Sequence, residues 1–210
     1  MESERMRIGV LISGSGTNLQ AIIDASAEGH LDAEVAVVIS NKEDAYGLER
    51  ARKADVPAVW IDRTEYSTFR AYNEAIRDVL LEYEVDVVAM AGYMRLLSKE
   101  VLDTFPDRVV NIHPSLLPSF SGPSGIREAF EYGVKITGVT IHFANENFDE
   151  GPIIAQEAVQ VAEDDTIETL EAKIHEAEHR LYPRVLQLLA EGRITIAQGK
   201  ARIKGGLLGR

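Results

Sequence analysis

The chain has 210 residues, of which 45% are hydrophobic and 27% are charged, and its formal net charge is −12. A chain of this length can bury a sizeable core without disulfides or bound metals. The absence of cysteine excludes thiol catalysis, cysteine-ligated zinc and a disulfide framework. The negative charge disfavours general binding to nucleic acids. Because residues 1–11 hold no long apolar segment, we expect neither a signal peptide nor a membrane span. The length and composition predict a single domain over residues 1–210.

Short apolar runs alternate with helical patterns along the chain. The patterns predict strands at residues 7–12, 34–39, 58–61, 85–91 and 109–112, and helices at residues 17–28, 46–53 and 66–83. Residues 136–143 and 153–161 are expected to form an antiparallel pair, and a helix at 166–190 follows, which Pro183 should kink or interrupt. The alternation predicts an α/β fold: a doubly wound, mostly parallel sheet with antiparallel strands at its C-terminal side and a long C-terminal helix.

Small and polar residues follow three of the predicted parallel strands. Residues 14–18 (GSGTN) follow the first strand, residues 92–95 (GYMR) the fourth and residues 111–114 (NIHP) the fifth. Ligands of open parallel sheets bind outside the carboxyl ends of the strands. We therefore expect these three clusters to lie at one ligand-binding edge.

The GSGTN segment fits a turn that binds a phosphate group. Glycine lets the backbone approach a ligand closely, and the amides of a helix N-terminus point at an anion. Thr17 and Asn18 add side-chain donors. The Gly-Lys-Ser/Thr ending of a P-loop is missing, and a tight βα turn with an N-cap fits the same residues equally well.

Asn111 and His113 end the fifth predicted strand, directly before the stiff segment PSLLP. A histidine there can act as a general acid or base, and the amide can donate to a developing oxyanion, although a satisfied structural histidine is the alternative. Asp149, in the segment DEGP, fits an ordinary turn. A carboxylate close to His113 would favour the imidazolium, but spacing does not show whether Asp149 reaches it.

Residues 175–179 (HEAEH) match the zinc motif HExxH on a predicted helix, so His175 and His179 would share one face. Zinc hydrolases need a third protein ligand, and Glu191 is the only acidic residue after His179. A polar helix face is therefore favoured over a metal site.

Six segments together resemble phosphoribosylglycinamide formyltransferases, a family of purine synthesis. They are ISGSGTNLQAII, SNKEDAYGLERA, VVAMAGYMRLLS, NIHPSLLPSF, FDEGPIIAQEAV and AEHRLYP, and the similarity extends from about Arg7 to Gly192. NIHPSLLP is typical of the wider folate formyltransferase superfamily, whereas the phosphate turn and the length favour this member. The resemblance implies a Rossmann-like formyltransferase fold without the extra domains of methionyl-tRNA formyltransferases or formyltetrahydrofolate deformylases.

The resemblance also implies site residues, carried over position by position. They are a catalytic triad of Asn111, His113 and Asp149, a phosphate site at Gly16, Thr17 and Asn18, a ribose contact at Glu178, and a folate site at Arg70, Met94, Arg95, Leu96, Leu97 and Asn111. The implied reaction moves the formyl group of 10-formyltetrahydrofolate to the amine of glycinamide ribonucleotide, in the cytoplasm, without a metal. The implied protein is a monomer or homodimer that binds no nucleic acid and no membrane.

Two departures from the family pattern bear on the substrate contacts. Members usually continue the HPSLLP loop with Lys-Gly-x-His-x-His, whereas residues 122–126 here read GPSGI. A basic residue that members often place on the folate side aligns with Phe69, and the adjacent Arg70 could substitute for it. Formylation of a different amine, hydrolysis of formylfolate, and a binding module without turnover therefore stay open as alternatives.

Overall fold

The structure is a computed structural model that describes residues 5–207. These residues fall into two compact units, which meet in sequence between Val110 and Asn111. The single domain expected from the sequence stays a prediction. Among the described residues, no helix combines the length and the apolar character needed to cross a membrane.

The first unit is built on parallel strands with helices between them. Its strands are β1 (Met6–Ile12), β2 (Ala33–Ser40), β3 (Ala58–Trp60) and β4 (Val87–Met90), and its helices are α1 (Thr17–Ala27), α2 (Tyr46–Lys53), α3 (Phe69–Glu82) and α4 (Lys99–Leu102), with a 3₁₀ turn at Arg63–Glu65. The strands pair in parallel in the order β3-β2-β1-β4. The predicted alternation is confirmed, whereas α4 and the 3₁₀ turn were not predicted.

Strand β1 is the centre of this parallel arrangement. Ile8 pairs with Val35 of β2 on one side and with Val87 of β4 on the other. Val10 and Leu11 have no exposed surface. A parallel strand that is covered on both faces needs a nearly continuous apolar run, which is the pattern that predicted it.

Helix α3 begins three residues later than predicted because two caps divide its N-terminal region. The Asp62 carboxylate accepts from the Thr64 amide at 2.8 Å, which closes the short 3₁₀ turn. The Thr68 hydroxyl accepts from the Ala71 amide at 3.0 Å, which starts the α-helix proper. The buried face of α3 carries Tyr72, among other residues.

The second unit contains the antiparallel strands and the long helix. Strand β5 (Val109–His113) leads into it, and β6 (Ile136–Phe143), β7 (Ile153–Gln160), α5 (Gly125–Tyr132), α6 (Ile167–Ala190), β8 (Ile194–Ala197) and β9 (Lys200–Ile203) follow. Strands β6 and β7 are antiparallel, with Thr140 opposite Gln156. The strand order of the sheet is β3-β2-β1-β4-β5-β6-β7, which is the mostly parallel sheet with antiparallel strands at its C-terminal side expected from the sequence.

Helix α6 continues through Pro183 to Ala190, so the expected interruption is wrong. Proline removes one backbone hydrogen bond, but most of the neighbouring side chains that pack the helix remain buried. Leu181 is 3% exposed, and Val185 has no exposed surface. This packing holds the helix where its local propensity is poor. The helix starts at a reciprocal cap in which Thr166 and Thr169 bond to each other's backbone amides.

Three elements of the second unit were not predicted. Helix α5 lies in the loop that departs from the family pattern. Strands β8 and β9 form an antiparallel hairpin whose two turn residues, Gln198 and Gly199, have φ of 54° and 71°. Positive φ at both central positions is the geometry of the tight turns that join such strands.

Candidate active site

His113 is the last residue of β5 and is 4% exposed. Its Nδ1 lies 3.3 Å from Oδ2 of Asp149, and its Nε2 lies 2.8 Å from the carbonyl oxygen of Phe120. Carboxylate and carbonyl oxygens are both acceptors, and only the imidazolium can donate to both of them. Each ring nitrogen of His113 therefore faces an acceptor oxygen, one of a carboxylate and one of a backbone carbonyl.

Asn111 lies two residues before His113 on β5, so the two side chains point to the same face of the strand. Its Nδ2 lies 3.1 Å from Nε2 of His142 and 3.4 Å from Oδ1 of Asp149. The amide therefore touches the carboxylate that also pairs with His113. These contacts bring the three residues of the predicted triad together within the second unit.

The turn after β6 carries Asp149 to His113. Asp149 has a φ of 57°, a left-handed conformation that aspartate tolerates better than most residues. A Cβ on Gly151 would lie 1.7 Å from the carbonyl oxygen of Phe143, so the chain folds back more closely than any other residue allows. The DEGP segment thus forms a tight turn, as its residues indicate. This turn places the Asp149 carboxylate beside His113.

The pKa of Asp149 is lower than that of an ordinary aspartate. Burial is the largest single influence and acts to raise the pKa. Hydrogen bonds from His142 and from the Gly122 amide, which lies 2.9 Å from Oδ2, act in the opposite direction. Together with the charges of His113 and His142 they outweigh burial, so the carboxylate stays ionised.

His142 is a member of this site that the sequence reasoning missed. It lies on β6, is 2% exposed, and its Nδ1 is 2.9 Å from the carbonyl oxygen of Phe143. Its Nε2 lies between Nδ2 of Asn111 at 3.1 Å and Oδ1 of Asp149 at 3.6 Å. With Nδ1 donating to the carbonyl, Nε2 of the neutral ring can accept from the amide, and Nε2–H of the charged ring can donate to the carboxylate. The available signal was a single histidine inside an otherwise largely apolar strand, ITGVTIHF.

The segment that departs from the family pattern covers His113. The Gly122 amide bonds to Asp149, and the Phe120 carbonyl bonds to His113. A Cβ on Gly125 would lie 2.9 Å from the Phe120 oxygen and 3.2 Å from Nε2 of His113. The segment at residues 122–126 therefore contacts Asp149 through its backbone and lies close to His113 at Gly125, whereas the Phe120 carbonyl precedes it.

In the first unit, the predicted phosphate turn joins β1 to α1. Gly16 is the N-cap of α1, with φ of 71°, and no side chain caps the helix there. The backbone amides of a helix N-terminus point along the helix axis, so the start of α1 is suited to an anion. A Cβ on Gly16 would lie 2.7 Å from Cα of Gly47 in α2, which explains why glycine is required.

The predicted folate segment follows β4. The Met94 side chain is 63% exposed, whereas Leu97 is 2% exposed, and Arg95 and Leu96 are half-buried. The apolar side chain of Met94 is thus exposed to solvent, whereas that of Leu97 packs in the core of the first unit.

Arg70, the other predicted folate contact, lies in the first turn of α3. Its Nε is 2.9 Å from Glu74 and 3.3 Å from Glu100, and its side chain is 74% exposed. The neighbouring Phe69 is 40% exposed. Two carboxylates therefore hold this guanidinium at the surface of the first unit.

Glu178, the predicted ribose contact, is 4% exposed in α6. Its Oε2 lies 2.9 Å from Nδ1 of His175, and the rings of His175 and His179 stack at 6.1 Å. The hydrogen bond to Glu178 raises the pKa of His175. Among the described residues, no group of three or more histidine, cysteine or acidic side chains could hold a metal ion. In the HEAEH segment, the carboxylate of Glu178 is thus bonded to a histidine.

The chain is similar to known formyltransferases along most of its length. The formyl transferase family pattern matches residues 6–186. The phosphoribosylglycinamide formyltransferase of Haemophilus influenzae is 42% identical over 202 residues, which are 96% of this chain and 95% of that protein. The crystal structure of glycinamide ribonucleotide transformylase 1 from Symbiobacterium toebii has 52% sequence identity and a TM-score of 0.93, covering 96% of this chain and 95% of that one.

The chain also matches part of longer proteins. The trifunctional purine biosynthetic protein adenosine-3 of Homo sapiens is 43% identical over 197 residues, which are 94% of this chain and 20% of that protein. The chain therefore spans about a fifth of the length of that relative. With a family match over most of its residues and relatives of its own length above 40% identity, the chain belongs to the formyl transferase family.

Proposed function

We propose that the chain transfers the formyl group of 10-formyltetrahydrofolate to the amine of glycinamide ribonucleotide, a step of purine biosynthesis. The observation that carries the proposal is the arrangement around His113, which lies between the Asp149 carboxylate and a carbonyl oxygen, with the Asn111 amide on the same strand face. Two donors beside one carboxylate suit a reaction that passes through a tetrahedral oxyanion. Relatives of similar length carry the name of this reaction.

The reaction begins when the substrate amine attacks the formyl carbon. The amine electron pair forms the new C–N bond, and the carbonyl pair moves to oxygen. Nε2–H of His113 and Nδ2–H of Asn111 would donate to this oxyanion, and each such donor is typically worth roughly 3–4 kcal/mol of the barrier. When the intermediate collapses, the bond from the formyl carbon to N10 breaks, and the proton lost by the amine ends on N10.

In this scheme the oxyanion replaces groups that already bond to the donors. Nε2 of His113 lies 2.8 Å from the Phe120 carbonyl, so that oxygen occupies the acceptor position. The 3.4 Å contact of Asn111 with Asp149 is long for a hydrogen bond and is the one that Asn111 would exchange. The donors to the oxyanion are therefore already in place, and the oxyanion would replace the acceptors that they contact in the absence of substrate.

Asp149 keeps its charge while the proton moves. Its lowered pKa means that the carboxylate stays ionised at neutral pH. It would hold the imidazolium and order a water that relays the proton from the amine to N10. Asp149 thus acts on the reaction through charge and position.

The remaining predicted residues would bind the substrates. In the first unit, Gly16, Thr17 and Asn18 would bind the phosphate of the ribonucleotide through the uncapped start of α1. Arg70 and Met94, together with Arg95, Leu96 and Leu97, would contact the folate. In the second unit, Glu178 would bind the ribose hydroxyls, because a carboxylate has enough acceptor sites to keep its bond to His175.

The chemistry requires no metal or redox group, and we propose a cytoplasmic enzyme that acts as a monomer or homodimer, without nucleic acid or membrane partners. The experiment is an assay of the purified chain with 10-formyltetrahydrofolate and glycinamide ribonucleotide, run beside other amine acceptors and a control without acceptor. Formylation of glycinamide ribonucleotide that falls about a hundredfold or more in His113→Ala supports the proposal. A preference for another amine would instead support formylation of that amine. Release of formate in the control without acceptor would support hydrolysis of formylfolate.

A further inference from the structure

Ser13 is a buried hydroxyl at the end of β1, 4% exposed. Its Oγ donates to Oδ1 of Asn41 at 2.6 Å and accepts from the Met94 amide at 2.9 Å. A hydroxyl carries one donor hydrogen and two acceptor lone pairs, so both bonds exist at once. One side chain thereby joins the segments that follow β1, β2 and β4, all within the first unit.

On one side, Ser13 adjoins the phosphate turn. Gly14, the next residue, accepts from the Gly47 amide at 3.0 Å through its carbonyl oxygen. The backbone of Gly16 is in close contact with that of Gly47. Because the turn is pressed against α2 in this way, it has little freedom to move independently of Ser13.

On the other side, Ser13 holds the start of the predicted folate segment. Gly92 begins the segment with a φ of 78°, and the hydroxyl groups of Tyr93 and Tyr72 lie 2.9 Å apart. At the far end, the Ser98 amide donates to Oδ1 of the fully buried Asn73 at 3.0 Å. Within this frame, the hydrogen bond to Ser13 fixes the backbone of Met94.

We infer that Ser13 is a positioning residue that links the phosphate turn to the folate segment, so that the ribonucleotide and folate sites depend on the same hydroxyl. The inference rests on the proposed function of these two segments. When a ligand orders one of the two segments, Ser13 becomes less mobile, and the other segment becomes more ordered with it. Such a linkage is reciprocal: each ligand favours the binding of the other.

The test compares Ser13→Ala with Ser26→Ala. The Ser26 hydroxyl also makes two bonds, donating to the Ala33 carbonyl at 2.6 Å and accepting from Arg5 at 3.1 Å. Ser26 belongs to α1, and its partner Ala33 is at the amino end of β2, away from the carboxyl ends of the strands. In Ser13→Ala we expect the KM of both substrates to rise by about three- to tenfold, as for the loss of one or two ordinary hydrogen bonds, with kcat changed by less than about threefold. Ser26→Ala should change neither KM.

The inference is overturned if only one KM rises in Ser13→Ala, or if Ser26→Ala raises both KM values equally. Asn41→Ala removes one of the two bonds and should raise both KM values by a smaller factor, which keeps the test valid if Ser13→Ala folds poorly. Ser13→Thr keeps the hydroxyl and should recover part of the loss.

A second measurement separates this inference from the proposed function. Amide hydrogen exchange of the parent chain should slow at residues 14–18 and also at residues 94–97 when glycinamide ribonucleotide alone is added. In Ser13→Ala the slowing should stay at residues 14–18. A parent that shows this linkage without turnover overturns the proposed function but not the linkage, whereas a parent without slowing at residues 94–97 overturns the linkage.

Discussion

Nδ1 of His113 lies 3.3 Å from Oδ2 of Asp149, and the two side chains are only 5% and 7% exposed. A buried ion pair is stable only when other groups satisfy its remaining hydrogen-bonding positions. Here the Gly122 amide donates to Oδ2 at 2.9 Å, and the Asn111 amide lies 3.4 Å from Oδ1. The carboxylate is thus the fixed negative charge on which both proposed oxyanion donors depend.

Removal of that charge should abolish most of the activity without removing the turn. Asparagine tolerates the left-handed conformation of position 149, so Asp149→Asn keeps the backbone while it removes the charge that favours the imidazolium. We expect kcat to fall by about a hundredfold or more, as for the loss of one oxyanion donor. Steady-state kinetics measure this. Asp165→Asn, which breaks an ion pair with Lys173 in the same unit, is the matched control and should keep its activity.

The lowered pKa of Asp149 also predicts a pH dependence of stability. A carboxyl group whose pKa is lower in the folded than in the unfolded state stabilises the fold above its unfolded pKa, and this contribution is lost as the pH falls through the folded value. The difference in free energy of unfolding between the parent and Asp149→Asn should therefore be constant near neutral pH and shrink below the ordinary aspartate pKa. Denaturant unfolding at a series of pH values measures it. A difference that grows on acidification would contradict the assignment.

The sequence predicts half of the site for physical reasons. Asn111 and His113 end a strand whose apolar run is unmistakable, and strand ends are where ligands bind. Asp149 depends on a turn closed by Gly151, whose contact with Phe143 no spacing reveals, so only resemblance identified it. His142 was missed because one histidine in a buried strand fits a core residue equally well.

The sequence misjudged Pro183 and the C-terminal hairpin for two different reasons, tertiary packing in the first case and a weak strand pattern in the second. Pro183 argues against a helix locally, yet buried neighbours such as Val185 keep α6 continuous. The hairpin of β8 and β9 has a local signal, the pair Gln198 and Gly199, but its strands are short and half exposed. Neither error changes the strands that carry the predicted triad.

His142 should act on catalysis through Asn111. Its Nε2 lies 3.1 Å from Nδ2 of Asn111. In the neutral ring it would accept one amide hydrogen and so direct the other toward the oxyanion. We expect His142→Ala to lower kcat by about tenfold with little change in either KM, because the oxyanion exists only in the transition state. His142→Gln offers a side-chain oxygen as acceptor and should recover part of the loss. If KM rises while kcat is kept, the residue instead serves substrate binding.

Gly151 should be intolerant of any side chain for a purely steric reason. A Cβ there would lie 1.7 Å from the Phe143 carbonyl oxygen, a backbone atom that cannot move aside alone. Gly151→Ala should therefore displace Asp149 and lower kcat strongly, while α6 and the sheet remain folded by circular dichroism. Gly192→Ala is the control: its φ of 62° strains alanine by about 1–2 kcal/mol, but no atom lies within 4 Å. It should lose some thermal stability and keep full activity.

Glu178→Gln should separate ribose binding from the chemistry. The substitution keeps the shape of the buried side chain but removes its charge and weakens its bond to His175, so the KM for glycinamide ribonucleotide should rise by about tenfold, as for a lost charge-assisted hydrogen bond. The KM for folate should not change. Glu171→Gln, on the same helix, is the control and should leave both KM values unchanged.

The same variant has a readout that is independent of activity. The hydrogen bond that His175 donates to Glu178 raises the pKa of His175. Its stabilising contribution is therefore present below the ordinary histidine pKa and is lost as the pH rises through the raised value. An NMR titration of the His175 ring should show the pKa fall toward its ordinary value in Glu178→Gln. Since the His175 side chain is 45% exposed, solvent screens the pair, and the effect on the free energy of unfolding should be small. An unchanged His175 titration would show that the pair does not form in solution, and an unchanged KM for the ribonucleotide would remove Glu178 from the proposed ribose site.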